Sequence, residues 1–387
     1  MHVGIDAHLL GKRVGGVERV VRMLAERVPP LLPDVRFSLF IKRDYEPDFS
    51  VAPNVKLVRV GISDPLLQRS FVLPVLARSQ RLDLLHVQRI APPFTGCRVL
   101  AHVHDLLPLT HPADHAGMRD RIVRVLTPRT LRRADHVLTV SNSVRQEIVE
   151  RFPFCRGKVS SIYNGILAEH FRPASKALPG VLHRELKIAG PYAYYLGAIS
   201  PRKNLETVIR GWAELRKTQP ASPLRLVVSG ISRDPEFGRF LLQLSRDLGV
   251  TDTICWTGYR SDAECLELLQ HARVFLAPSR GEGFDLPALE AMACGVPVLA
   301  SELAVHRELL EDRALFFPTL DPGAFAKQLL QLASDEPLRA RLIPAGLQRS
   351  ATFSWDQTAA EMADLYQKLL PAAPHLSAVP AHLTRTS

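Results

Sequence analysis

The feature that most limits the fold of this chain is an alternation running nearly end to end. Short apolar runs of strand length are each followed by a segment of helical period. The strand-length runs fall at 2–6, 36–41, 83–87, 98–103, 136–140 and 159–164. A second series falls at 192–197, 225–229, 254–257, 274–277, 296–300 and 314–317. Runs of this kind separated by helices predict parallel β-α-β units, because a strand apolar on both faces must be covered on both sides. Residues 171–190, between the two series, are rich in Pro, Ala and Gly and read as a linker. The fold class expected is α/β, with two doubly wound Rossmann-like domains facing across a cleft at the C-terminal ends of their strands. The boundaries expected are 1–172 for the first domain, 173–190 for the linker, 191–354 for the second domain and 355–370 for a last helix. Residues 371–387, rich in Pro, Ala, Ser and Thr, read as a disordered tail.

The 387 residues, 46% of them hydrophobic, suffice for two substantial cores. No run of eighteen apolar residues occurs, so no membrane-spanning helix is expected. The opening residues are too short and polar a run for a signal peptide and read as a first buried strand. Cys97, Cys155, Cys255, Cys265 and Cys294 are odd in number, scattered and without metal-type spacing, which predicts free thiols in a reducing cytoplasm.

Charge divides the chain unevenly. Residues 1–180 hold 27 Lys and Arg against 16 Asp and Glu, a net of +11, while the remainder holds 22 against 23. Within the basic half, Arg119, Arg121, Arg124, Arg129, Arg132 and Arg133 crowd one segment and interleave with Met118, Ile122, Val125 and Leu126. Such a face suits an anionic membrane surface or an anionic acceptor, although Pro128 interrupts an interfacial helix and a solvated helix face is the plainer reading. No basic stretch is interleaved with aromatic residues, so nucleic acid is not an expected partner.

The most informative motif runs from Glu282 to Ser301. Pro287 has the fixed φ of a first helical residue and Asp285 is a good capping side chain, so a helix is expected to open there. The free amides of a helix start bind anions. Glu282 in the preceding loop and Glu290 about a turn into the helix would flank that anion. The arrangement suits a phosphate with hydroxyl-rich groups on both sides, which is the outline of a sugar nucleotide. Arg202 and Lys203 stand where the second domain's first strand opens into a helix, and cations there oppose the helix dipole unless an anion lies between them. His104 and Asp105 follow a first-domain strand on the cleft side. Gly15 and Gly16, with Glu18, form a turn that lets backbone approach a ligand. Gly258 and Tyr259, after another strand, suit reading of a nucleobase edge.

These motifs in this order resemble a family-4 retaining glycosyltransferase of the two-Rossmann GT-B architecture, over roughly residues 1–370. The pieces are Gly15-Gly16-Val17-Glu18, His104-Asp105, the stretch 134–141, Asn164-Gly165, Pro201-Arg202-Lys203-Asn204, Thr257-Gly258-Tyr259, and 278–284 with Glu290. The resemblance extends to bacterial mannosyltransferases of polysaccharide assembly. It implies that the first domain binds the acceptor, the second binds the nucleotide sugar, and the last helix crosses back to the first. It implies a donor diphosphate held by Lys203 and Arg202, by the amides of Phe284, Asp285 and Leu286, and by Gly16. Glu282 would bind donor sugar hydroxyls, Glu290 the ribose, and His104 would lie near the reacting sugar. The donor expected first is GDP-mannose, with UDP-glucose, UDP-N-acetylglucosamine and deoxysugar donors open. The acceptor expected is a saccharide or a lipid-linked saccharide, and the location is cytoplasmic, at the inner face of the plasma membrane if the basic face binds it. No Asp-x-Asp pair is present, so no metal or other cofactor is expected. Two departures from the family pattern stand out. Position 285 is commonly Gly, and Asp285 is expected to cap the helix rather than face the phosphate. Ala198 replaces an Arg found in some relatives, a loss for which Arg202 compensates. Sugar-nucleotide epimerases share this architecture and are the nearest enzymatic alternative; a non-catalytic membrane or anionic-polymer binder is the other.

Overall fold

The apolar runs assemble as β1 (His2–Asp6), β2 (Arg36–Lys42), β3 (Val55–Val60), β4 (Leu84–Gln88), β5 (Arg98–Val103), β6 (His136–Thr139) and β7 (Val159–Ser161) in one sheet. The second sheet holds β8 (Tyr192–Leu196), β9 (Arg225–Ser229), β10 (Ile254–Gly258), β11 (Val274–Ala277), β12 (Val298–Ser301) and β13 (Leu315–Phe317). The computed structural model describes residues 1–12, 15–61, 64, 68–115, 117–174, 181–232 and 234–371. Strand order is 3-2-1-4-5-6-7 in the first sheet and 10-9-8-11-12-13 in the second, with every pairing parallel. Both sheets therefore reverse their winding at one point, between β1 and β4 and between β8 and β11. Crevices form at such reversals because the connecting helices leave on opposite faces.

β3 was not among the expected strands. Val55, Leu57, Val58 and Val60 alternate with Lys56 and Arg59, and the strand lies at the sheet edge, only partly buried. One charged residue at every second or third position hides an edge strand from a search for continuous apolar runs.

Apolar side chains from both faces of each sheet build the cores. In the first lobe, Val3, Ile5, Phe37, Leu39 and Leu100 pack with the helix Gly16–Arg27 and with Trp355, Met362 and Tyr366 of the last helix, Trp355–Leu369. That helix thus crosses back from the second lobe into the core of the first. Gly165 permits the crossing, since a Cβ there would overlap the Trp355 backbone. The second lobe's cores centre on Tyr194, Phe275 and Leu289 on one face and on Trp212, Leu226 and Phe325 on the other. Residues 175–180 of the expected linker and 372–387 of the expected tail lie outside the described residues. The rest of the linker includes a short helix, Val181–Glu185, followed by Ile188, and both Leu182 and Ile188 are buried in the second lobe.

Candidate active site

At the end of β8 the chain makes a 3-10 turn, Pro201–Lys203, before the helix Leu205–Thr218. Asn204 sits between them in left-handed conformation, with φ 58°. Its amide donates to the carbonyls of Pro278 (3.0 Å) and Thr319 (2.6 Å), and its oxygen accepts from Thr207 (2.8 Å). Asn tolerates this backbone region because its short polar side chain bonds locally. The buried bonds fix the turn and send the two preceding cations toward the loop that follows β11.

There Glu282 receives them. Its Oε1 accepts from Lys203 Nζ at 2.6 Å, from Arg202 Nη1 at 2.8 Å and from Ser279 Oγ at 2.6 Å. Among the described residues Oε2 takes no hydrogen bond. Arg202 also donates to the Gly281 carbonyl at 2.8 Å. Burial alone would push the Glu282 carboxyl up, but Lys203 and Arg202 outweigh it and hold the group well below the usual carboxylate range. For Arg202, burial works downward and the Glu282 and Asp105 carboxylates raise it overall. The cluster is thus two cations on one carboxylate, with one positive charge in excess.

The helix Leu286–Ala293 begins just beyond, and among the described residues the amides of Phe284, Asp285 and Leu286 make no hydrogen bond. Asp285 does not cap this helix, contrary to the sequence expectation. It takes up φ 69° and ψ 63°, the left-handed conformation that explains why Gly suits the position, and makes no capping bond. Its Oδ2 instead meets His306 Nε2 at 3.0 Å, while His306 Nδ1 lies 2.9 Å from the Ser301 carbonyl. Burial lowers the His306 imidazole, but the Asp285 bond and charge raise it above its ordinary value. The carboxylate is thereby paired inward and the helix start keeps its open amides.

The first lobe closes over this surface. A Cβ on Gly16, at the start of the helix Gly16–Arg27, would come within 3.6 Å of Leu286 Cδ1, so two helix starts share one crevice. Gly15 precedes it at φ 77°. Glu290, 4% exposed, forms an ion pair with Arg19 of that helix. A Cβ on Gly283 would overlap the His104 carbonyl oxygen, and Ser141 Oγ donates to the Gly283 carbonyl at 2.8 Å. His104 therefore meets the second lobe through its backbone. The residue is 6% exposed, and its ring stacks on His102 with centroids 4.3 Å apart and bonds Gln88 at 2.9 Å. Burial and the nearby Arg89 push the ring down to about 4, so it is neutral near pH 7. Asp105 bonds Arg89 at 2.7 Å and the Leu107 amide at 3.0 Å.

Gly258 (φ 70°) ends β10 and the 62%-exposed Tyr259 follows it, two strands from β8. Arg119, Arg121, Arg124, Arg129, Arg132 and Arg133 lie on the helix Met118–Arg133, and none of them bonds Glu282. The sequence reading overlooked Arg19, Ser279 and His306. Ser279 lay within the Pro278–Phe284 motif, whereas Arg19 and His306 carried no local signal because their partners are distant in sequence.

The comparisons with known proteins agree with this geometry. Residues 183–349 match the family described as Glycosyl transferases group 1, and residues 14–170 match Glycosyltransferase Family 4. The chain is 28% identical to the O-antigen chain mannosyltransferase B of Escherichia coli over 275 residues, 70% of this chain and 71% of that protein. It is 27% identical to the serotype-specific mannosyltransferase WbdA of Escherichia coli over 285 residues, 71% of this chain but 34% of that longer protein. A D-inositol 3-phosphate glycosyltransferase of Salinispora tropica is 29% identical over 66% of this chain and 53% of its own length. In fold, the sucrose-phosphate synthase of Thermosynechococcus elongatus superposes with a TM-score of 0.75 at 21% identity, covering 95% of this chain and 99% of that one. WaaG, a glycosyltransferase involved in lipopolysaccharide biosynthesis, gives 0.73 at 16% identity over 94% and 99%.

Proposed function

Because the chain belongs to the family-4, group 1 glycosyltransferases of GT-B architecture, we propose that it moves a hexose from a nucleoside-diphosphate sugar to a saccharide or lipid-linked saccharide in cell-surface polysaccharide synthesis. Mannose from GDP-mannose is the first assignment, from the two mannosyltransferase relatives. The observation that carries the proposal is the convergence of Lys203 and Arg202 on Glu282 beside the open amides of Phe284 to Leu286.

A diphosphate entering this crevice meets an ammonium, a guanidinium and peptide dipoles that are already oriented. Fixed groups of this kind stabilise charge developing on a leaving group without reorganising. We therefore assign leaving-group stabilisation to Lys203 and Arg202 and propose that no divalent metal is used. Glu282 Oε2, without a hydrogen bond among the described residues, is assigned to donor sugar hydroxyls. Glu290 is assigned to the ribose hydroxyls, which would displace Arg19. Transfer proceeds with retention: the bond from anomeric carbon to phosphate oxygen breaks, the acceptor oxygen bonds to the same face, and the acceptor proton passes to the departing phosphate oxygen. The neutral, inward-turned ring of His104 supports a positioning role for that residue through its carbonyl rather than proton transfer through its imidazole.

The arginine-rich helix supports a peripheral place on the cytoplasmic face of the membrane. Met118, Val125 and nearby Phe94 and Phe154 are exposed apolar side chains, and Arg132 and Arg133 lie over the rings of Phe154 and Phe94. No described helix is long and apolar enough to cross a membrane. The transferase reading is tested by a thermal-shift screen of sugar nucleotides followed by transfer of labelled sugar to mannan oligosaccharides. A rise in melting temperature with GDP-mannose and labelled product are expected; stabilisation by no sugar nucleotide would overturn the reading.

A further inference from the structure

The donor diphosphate and its sugar do not account for all of the space beside Glu282. A cavity of about 360 Å³ opens between the lobes there. That lies within the range of small-molecule sites, roughly 300–1,000 Å³. Gln146, Glu147 and Glu150 enter it from the helix Asn142–Arg151, Thr110 and His111 from the turn after β5, and Glu282 from the second lobe. Leu303 and Val305 supply an apolar patch on the opposite wall.

The polar groups of this cavity are unequal in what they leave open. Gln146 Nε2 bonds Glu150 at 2.8 Å, and Thr110 Oγ1 bonds His111 Nδ1 at 3.0 Å. Arg280, on the second-lobe wall, lies 3.8 Å from Asp114 and donates to Asn204 at 3.3 Å, so its charge is already engaged. Glu147 is half-buried, and among the described residues its carboxylate has neither hydrogen bond nor ion pair. Burial raises its proton affinity, Arg151 opposes this, and the Asp105 and Glu150 carboxylates add to it. A partly desolvated carboxyl without a donor is satisfied by hydroxyl groups from a ligand. A phosphate placed beside Glu147 would be repelled by the Glu147 and Glu150 carboxylates, while Glu282 is already neutralised by its two cations.

We propose that this cavity is the subsite for an uncharged sugar residue of the acceptor, with Glu147 as the hydrogen-bond acceptor that selects hydroxyl-bearing over phosphorylated acceptors. The inference rests on the transferase reading and adds the acceptor class to it. Glu282 links the two halves: its Oε1 holds the cation pair of the donor side, and the same side chain lines the cavity. An acceptor hydroxyl bound in the cavity therefore lies one carboxylate away from the donor.

Titration of mannobiose and of its 6-phosphate into wild-type protein, Glu147→Ala and Glu147→Gln, with GDP and with UDP present, decides the matter. Wild-type protein should bind mannobiose at least about tenfold more tightly than the phosphorylated form. Glu147→Ala should lose about tenfold in mannobiose affinity, and Glu147→Gln, which keeps an acceptor oxygen, should recover most of it. Nucleotide affinity should be the same in all three proteins, which a general loss of folding would not allow. Equal mannobiose affinity in Glu147→Ala, preference for the phosphorylated sugar, or nucleotide binding without any saccharide binding would each overturn the subsite and leave the donor site standing. Absence of nucleotide binding by the wild-type protein would overturn the transferase reading and this inference with it.

Discussion

A single carboxylate oxygen, Glu282 Oε1, holds Lys203, Arg202 and Ser279 in place, so each of these side chains has one position before any ligand arrives. That fixity is the source of the catalytic advantage claimed for Lys203. Lys203→Ala should reduce sugar transfer by about 10²- to 10³-fold, the usual cost of removing one preorganised charge-stabilising group, with an unchanged circular dichroism spectrum. Near-normal turnover would refute its role. Asp285 makes a separate prediction. Its bond raises the His306 pKa, so this pair adds stability that is complete at acid pH and is lost as pH rises through the raised value. In Asp285→Asn, burial loses its largest opponent and only the Ser301 carbonyl and the Glu282 carboxylate still raise the ring, so His306 should titrate lower than in the wild-type protein in an NMR pH series. An unchanged titration would show that the pair does not govern His306. Motif spacing marked Lys203, Glu282 and Glu290 in the sequence, and the structure brings Lys203 onto Glu282 and pairs Glu290 with Arg19. The partner of Asp285 was not marked, because His306 lies 21 positions on and reaches it only through the packing of a later helix.

β4, β5 and the residue just past β5 place three histidines side by side. His86 and His102 have ring centroids 5.4 Å apart, and His102 stacks on His104 at 4.3 Å. Both ring nitrogens of His102 lack a protein hydrogen-bond partner among the described residues. Burial, reinforced by mutual repulsion, pushes His86 down to about 3 and His102 well below its ordinary value. The unfolded chain binds protons at these rings from about pH 6.5 downward, while the folded chain resists them. Their contribution is therefore complete above that pH and is lost as pH falls toward the depressed values, a trend opposite in sign to that of His306. Urea midpoints should drop between pH 7 and pH 5, and His102→Leu should shrink that drop. An equal drop in the variant would contradict the assignment. At this scale the sequence declared its buried strands well, since β1, β5, β9 and β11 coincide with apolar runs. It concealed β3, whose charged positions read as loop, because an edge strand is not required to be apolar on both faces.

Across the whole molecule, the two lobes are joined by more than the linker. Glu308 of the second lobe accepts from the amides of Asn142 (2.6 Å) and Ser143 (2.7 Å), which open a helix of the first lobe. Arg19 and Glu290 pair across the crevice, and the last helix completes the first lobe's core. These contacts hold the lobes at a spacing that exposes both sheet reversals to one cleft. The two-lobe plan was visible in the doubled alternation of the sequence. The cross-lobe pairs were not, because they join residues 165 to 271 positions apart with no local pattern. The basic helix gives a prediction on the same scale: the protein should float with liposomes of anionic lipid at low salt and be released as salt screens the arginines. Failure to float at low salt would remove membrane contact from the account. The account as a whole depends on a sugar nucleotide whose pyrophosphate is neutralised by Lys203, Arg202 and the helix start. Calorimetric titration of GDP and UDP in EDTA, on wild-type protein and Lys203→Ala, tests this directly. The account predicts binding of one of them by the wild-type protein and about tenfold or greater weakening in the variant; binding that appears only when magnesium is restored, or equal affinity in both proteins, would contradict it.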